Sequence, residues 1–179
     1  MAGLEASVKS NRADPDTVSR RVVRFAWTGP AALASPVARW AVNIIALAGA
    51  ALLVWSGVIH LQLWADGYRS ISVIGPLFLV QGVGSIVIGA ALAAFRRLAL
   101  IVAGGLTLAA TAVGLLLSVY VGLFGYKESL AVPYARSSLV IEFTGAALLT
   151  ALAIFVIAMP ARDGAARGSS ARAAGAFPA

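Results

Sequence analysis

Four stretches of this chain, about 38–64, 71–95, 98–123 and 138–159, run for more than twenty residues almost without charge. A helix of ~20 apolar residues, rising 1.5 Å per residue, matches the hydrocarbon thickness of a bilayer. Lipid offers no partner to a loose backbone N–H or C=O, so such a run must close its hydrogen bonds within itself. The expected fold is therefore an all-α membrane protein, a four-transmembrane-helix bundle. Composition agrees: 60% of the 179 residues are hydrophobic and only 12% charged, about half the charge of a soluble domain. A soluble chain of this size could not bury so much apolar surface.

The punctuation between the runs fits helix ends. Ser35-Pro36 is an N-cap and first-turn pair, and Trp64 is followed by the turn residues Ala65-Asp66-Gly67. Ser70 precedes the second run. Arg96-Arg97 leaves so little connection that helices 2 and 3 must form a tight antiparallel hairpin, whereas Gly125 to Ser137 gives helices 3 and 4 a longer loop, and Pro160 ends the fourth. The chain thus divides into a basic N-terminal segment (1–37), a transmembrane domain (38–159) and a tail (160–179). The tail is Ala, Gly, Ser and Arg without periodicity, a composition expected to stay disordered.

Orientation is read from lysine and arginine, the residues that govern insertion. Lys9, Arg12, Arg20, Arg21, Arg24, Arg39, Arg96, Arg97, Arg162, Arg167 and Arg172 fall on one side of the predicted spans; Arg69, Lys127 and Arg136 fall on the other. Eleven of the fourteen on one side predicts cytoplasmic N- and C-termini in a bacterial plasma membrane, two outward-facing hairpins, and an outer aromatic belt of Trp64, Tyr68, Tyr120, Tyr126 and Tyr134. The net charge of +7 is then a matter of membrane topology and not of nucleic-acid binding. The first apolar run is too long for a signal h-region and is expected to remain as an uncleaved anchor. Thr17 to Trp27 mixes Arg20, Arg21 and Arg24 with Val18, Val22, Val23, Phe25 and Trp27. It either lies along the anionic inner leaflet or is a solvated flank that sets topology.

Bundles in lipid are held by close approach of small residues and by hydrogen bonds between helices, because lipid tails supply no hydrophobic drive. Each run carries such a stripe: Ala46, Gly49, Ser56, Gly57 and His60; Gln81, Gly82, Ser85 and Gly89; Gly104, Thr107, Thr111, Gly114, Ser118 and Gly122; Glu142, Ala146, Thr150 and Ala153. A weak internal repeat pairs Gly67-Tyr68-Arg69 with Gly125-Tyr126-Lys127 and Gly89-Ala90-Ala91-Leu92 with Gly145-Ala146-Ala147-Leu148.

His60 and Glu142 are the clearly ionisable side chains within the spans, and such groups in a membrane are functional candidates by default. Each is four residues from a predicted outer helix end, roughly 6 Å below the boundary. Ser118 and Tyr120 lie at similar depth, with Gln81 deeper. They predict an outward-facing polar pocket of His60, Glu142, Ser118 or Tyr120 with Gln81 as its floor, and Arg69 and Tyr68 are further candidates to bind a ligand. The competing reading is that His60 and Glu142 snorkel or bond each other as structural glue.

Other chemistry fails on residue count or place. With no cysteine there is no disulfide, thiolate metal site, iron–sulfur cluster or covalent haem. One histidine cannot supply both axial ligands of a haem, and Gly82-Val83-Gly84 lacks a third glycine and lies inside a span. No catalytic triad, carboxylate pair or metal-ligand cluster is present, which points away from an enzyme.

Gly57-Val58-Ile59-His60-Leu61-Gln62-Leu63-Trp64, Gly67-Tyr68-Arg69 and Ile74-Gly75-Pro76-Leu77-Phe78-Leu79-Val80-Gln81 resemble a group of small uncharacterised four-helix integral membrane proteins of high-GC Gram-positive (actinobacterial) bacteria. The likeness covers about 25 residues and singles out His60, Trp64, Tyr68, Arg69 and Gln81. The four-span plan is also similar, more faintly, to DoxX-like membrane proteins, some of them associated with quinone-linked redox chemistry. The sequence leaves three functional expectations: an accessory or scaffold subunit of a plasma-membrane assembly, including a homo-oligomer; a binder of a lipid-soluble ligand such as a quinone or lipid, with no other cofactor; and a small transporter using a Glu142 proton relay.

Overall fold

The structure, a computed structural model, describes residues 35–158 together with Val23, Ala26, Trp27 and residues 29–33. The tail 160–179, most of the basic segment 1–37 and most of the amphipathic stretch Thr17–Trp27 lie outside the described residues. Four helices carry the fold: α1 (Pro36–Ala65), α2 (Ile74–Phe95), α3 (Leu98–Tyr120) and α4 (Ala135–Ala158). All four are long and apolar enough to cross a bilayer. The chain is a multi-pass membrane protein, all-helical among the described residues.

The helix ends follow from local chemistry. The Ser35 hydroxyl accepts the Ala38 N–H at 3.3 Å, and Pro36 fills the first turn, where no backbone donor is needed. α2 stops at Arg96, a residue in the left-handed region whose N–H returns to the Leu92 carbonyl. Arg97 is already extended and opens α3, so two residues reverse the chain. α3 ends at Tyr120, earlier than the apolar run implies. Leu123 and Tyr126 exchange both backbone hydrogen bonds across Phe124-Gly125, which both have positive φ as a type I′ turn requires. α2 begins at Ile74, later than the run implies, because Tyr68–Ser70 forms a 3₁₀ turn and Val73, at φ 65° and ψ −48°, is the centre of a γ-turn closed by Ile74 N–H to Ser72 C=O at 2.7 Å.

Glycine seams fix the packing order. A methyl group at Gly57 would lie 2.6 Å from the Gly82 carbonyl oxygen, and one at Gly89 2.9 Å from the Ala50 carbonyl oxygen, so α1 and α2 run antiparallel with backbones nearly touching. Gly104 takes the side chains of Leu149 and Leu53, and Gly145 those of Leu108 and Leu52, so α4 is joined to α3 and α1 through leucine side chains instead. α1 packs on α2 and on α4, α3 packs on α4, and α2 meets α3 over a smaller area. The apolar core of Val42, Ala46, Leu53, Leu92, Ile101, Leu108, Leu149 and Leu152 fills the half nearer Arg96-Arg97. On α4 the seam is Ser138, Glu142, Gly145, Leu149, Leu152 and Val156; Thr150, expected on it, is exposed.

Candidate functional site

In the other half of the bundle the same helices present polar side chains. Ser56 and His60 lie one turn apart on the buried face of α1, and Ser138 and Glu142 one turn apart on the facing side of α4. Both serine hydroxyls donate to Glu142 Oε1, Ser138 at 2.7 Å and Ser56 at 3.3 Å across the helix interface. His60 Nδ1 lies 2.8 Å from the Ser56 carbonyl oxygen. A carbonyl only accepts, so Nδ1 holds the proton, and in the neutral ring Nε2 is left as an acceptor. Nε2 is 3.9 Å from Glu142 Oε1, neighbouring but beyond hydrogen-bond length. Glu142 is 0% exposed, and its Oε2 has no hydrogen-bond partner among the described residues.

Beside this pair lies a cavity of about 220 Å³ between α2 and α3. Gln81 lines it at mid-helix; its amide donates to Ser85 Oγ at 3.1 Å and, across to α3, to Thr111 Oγ1. Phe78 carries the aromatic wall, its ring 5.1 Å from that of His60 and stacked at 4.8 Å on that of Tyr68. Tyr68 is held there by Gly75, where a methyl group would sit 2.9 Å from the Tyr68 carbonyl oxygen, so the 3₁₀ turn rests directly on the first turn of α2. Its hydroxyl donates at 2.6 Å to Glu128 Oε2, which also accepts from Tyr126 at 3.2 Å. Burial, reinforced by the hydrogen bond to Glu128, pushes the Tyr68 phenol well above its usual range; burial raises Tyr126 as well. Leu77 and Ala110, both exposed, also line the cavity, so it opens between α2 and α3.

Of the residues expected to share a pocket, His60, Gln81, Glu142, Ser118 and Tyr68 line one cavity. Arg69 and Tyr120 do not. Arg69 is exposed, and Tyr120, 71% exposed, points away because two residues turn a helix by roughly 200°, so Ser118 and Tyr120 cannot face the same space. Glu142 also lies deeper than four residues imply, because α4 starts at Ala135. Trp64, Tyr120, Tyr126, Tyr134 and Tyr68 do share one end of the bundle. Tyr68 and Tyr126 nevertheless turn inward to Glu128, and Glu128 is the site residue that sequence reasoning missed. Comparison with family models, with curated proteins and with solved structures finds no match.

Proposed function

We propose that this membrane protein is a non-enzymatic binder of a small lipid-soluble molecule, a quinone or a lipid headgroup being the classes first expected, held in the cavity between α2 and α3. One observation carries the reading: a fully buried carboxyl group, one oxygen of which has no hydrogen-bond partner among the described residues, lines a cavity that opens between α2 and α3. Buried polar groups without partners are rare enough to call for a use. The volume suits a single ring, since a cavity of ~150 Å³ holds benzene, and a tail would extend into lipid past Leu77 and Ala110.

The basic asymmetry supports cytoplasmic termini in a bacterial plasma membrane, with the cavity in the outer leaflet. Cysteines at Gly67 and Ser129 should label with an impermeant thiol reagent on intact spheroplasts, and cysteines at Ala94 and Arg97 should not. Reversed labelling would move the cavity to the cytoplasmic leaflet. Binding itself is tested by native mass spectrometry of protein taken from its membrane in lipid nanodiscs. A bound small molecule should be present, and Gly114→Leu should remove it; nothing within 4 Å blocks a methyl group at Gly114, which lines the cavity. An empty wild-type protein would sink the reading. A second reading, an accessory or scaffold subunit or a homo-oligomer, draws on a shallow groove of Ala50, Ala51, Gly89, Ala90 and Ala93 beside the exposed Trp55; a stoichiometric protein in the same nanodiscs would favour it.

A further inference from the structure

Resting on that reading, we propose that the cavity selects a protonated amine, an amphiphile whose ammonium group meets Glu142 and His60 while its apolar part leaves between α2 and α3. All but one of the side-chain donors around the cavity are already committed to the described residues. His60 Nδ1–H goes to the Ser56 carbonyl, the Ser56 and Ser138 hydroxyls go to Glu142 Oε1, and the Tyr68 and Tyr126 hydroxyls go to Glu128. What remains at the deep end is two atoms without a hydrogen bond to the described residues: Glu142 Oε2, which is fully covered, and His60 Nε2. The Ser118 hydroxyl is the one lining donor without a hydrogen bond to the described residues. No lysine or arginine lines the cavity, whereas two glutamates do. A phosphate or carboxylate would face like charge, and a quinone carbonyl would set acceptor against acceptor. An ammonium N–H supplies both the missing donor and the missing charge. Phe78, its ring 5.1 Å from that of His60, lines the same space, and an aromatic ring attracts cations most strongly where water is excluded.

Two sources share this chemistry, the headgroup of phosphatidylethanolamine and a free amphiphilic amine. The test uses the full chain in phosphatidylglycerol nanodiscs and three matched probes: N,N-dimethyl-4-octylbenzylamine, its hydrocarbon analogue 4-octylisobutylbenzene, and 4-octylbenzoate. Binding is counted as the saturable part lost in Gly114→Leu. The amine should bind roughly tenfold tighter than the hydrocarbon, with the benzoate weakest. Glu142→Gln, checked for helix content by circular dichroism, should erase the amine's advantage; if that variant does not fold, the probe ratio in the unmodified protein decides alone. Equal binding of amine and hydrocarbon, or tighter benzoate, overturns the ammonium assignment and leaves the cavity reading standing. No saturable binding of any probe overturns both. With the amine confirmed, weaker amine binding in phosphatidylethanolamine discs marks the lipid headgroup as the source, and unchanged binding marks a free amine; either result upholds the ammonium chemistry.

Discussion

The two halves of this bundle use the same four helices and the same stripes of small residues, yet one half is closed and the other is hollow. Toward Arg96-Arg97 each glycine meets a neighbour: Gly49 and Gly104 meet Leu149, and Gly89 meets the Ala50 carbonyl. Toward the 66–73 and 121–134 connections α1 and α2 stay closed at Gly57 and Gly82, but on α3 Gly114 meets nothing within 4 Å, and polar groups replace the leucines. A small residue on a helix interface is therefore a contact where the facing helix is near and a void where it is not. Only the partner decides which, so stripes alone do not distinguish glue from pocket.

The largest expected effect tests the closed pair. Gly57→Leu would drive a side chain into the Gly82 backbone, which cannot turn aside as a side chain can, and should destabilise the fold by about 3 kcal/mol, the upper end of overpacking costs. Thermal unfolding in detergent measures it; a loss below ~1 kcal/mol would show that α1 and α2 are not locked there.

At the hollow end, Tyr68→Phe removes the hydrogen bond to Glu128 and should lower stability by about 1 kcal/mol. The sign with pH follows from the raised phenol. A group whose pKa rises on folding contributes stability that is complete below its unfolded pKa, about 10. That stability is lost as pH climbs toward the raised folded value. Near-ultraviolet titration should accordingly find that Tyr68→Phe leaves the phenolate absorbance at about pH 10 unchanged. A drop in that absorbance would mean that Tyr68 ionises as an exposed tyrosine does.

Smaller still is the coupling between His60 and Glu142. The double-mutant cycle of His60→Ala and Glu142→Gln in lipid should give about 0.6 kcal/mol, the usual size of an intramembrane polar contact. Strict additivity would mean that the two side chains act independently despite their 3.9 Å separation. Least of all should Gly114→Leu disturb the fold, by less than ~0.5 kcal/mol, while Gly104→Leu, 2.7 Å from Leu53, should cost several times more. Equal losses at the two glycines would erase the distinction between the halves.

The spans were legible because hydrocarbon imposes length and apolarity on any segment that crosses it, and α1 to α4 fall within three residues of the apolar runs. The ends were less so, because Val73 and Phe124-Gly125 stop the helices through backbone conformations that hydropathy does not register. His60, Gln81, Ser118 and Glu142 stood out as polar groups on an apolar background, and depth along the axis brought them together. Depth carries no azimuth, which is why Tyr120 came with them. Glu128 could not be singled out: an acidic residue in a connection reads as solvated until Tyr68, far away in sequence, is seen donating to it.

The two-residue joint at Arg96-Arg97 also makes α2 and α3 a pair of tongs. These helices of 22 and 23 residues are each about 33 Å long, so a swing of ~5° at the joint displaces their free tips by ~3 Å, about the thickness of an aromatic ring. The hydrogen bond from Gln81 to Thr111 spans the jaws about 22 Å from the joint. One amide thereby ties α2 to α3 on the wall of the cavity that His60 and Glu142 line.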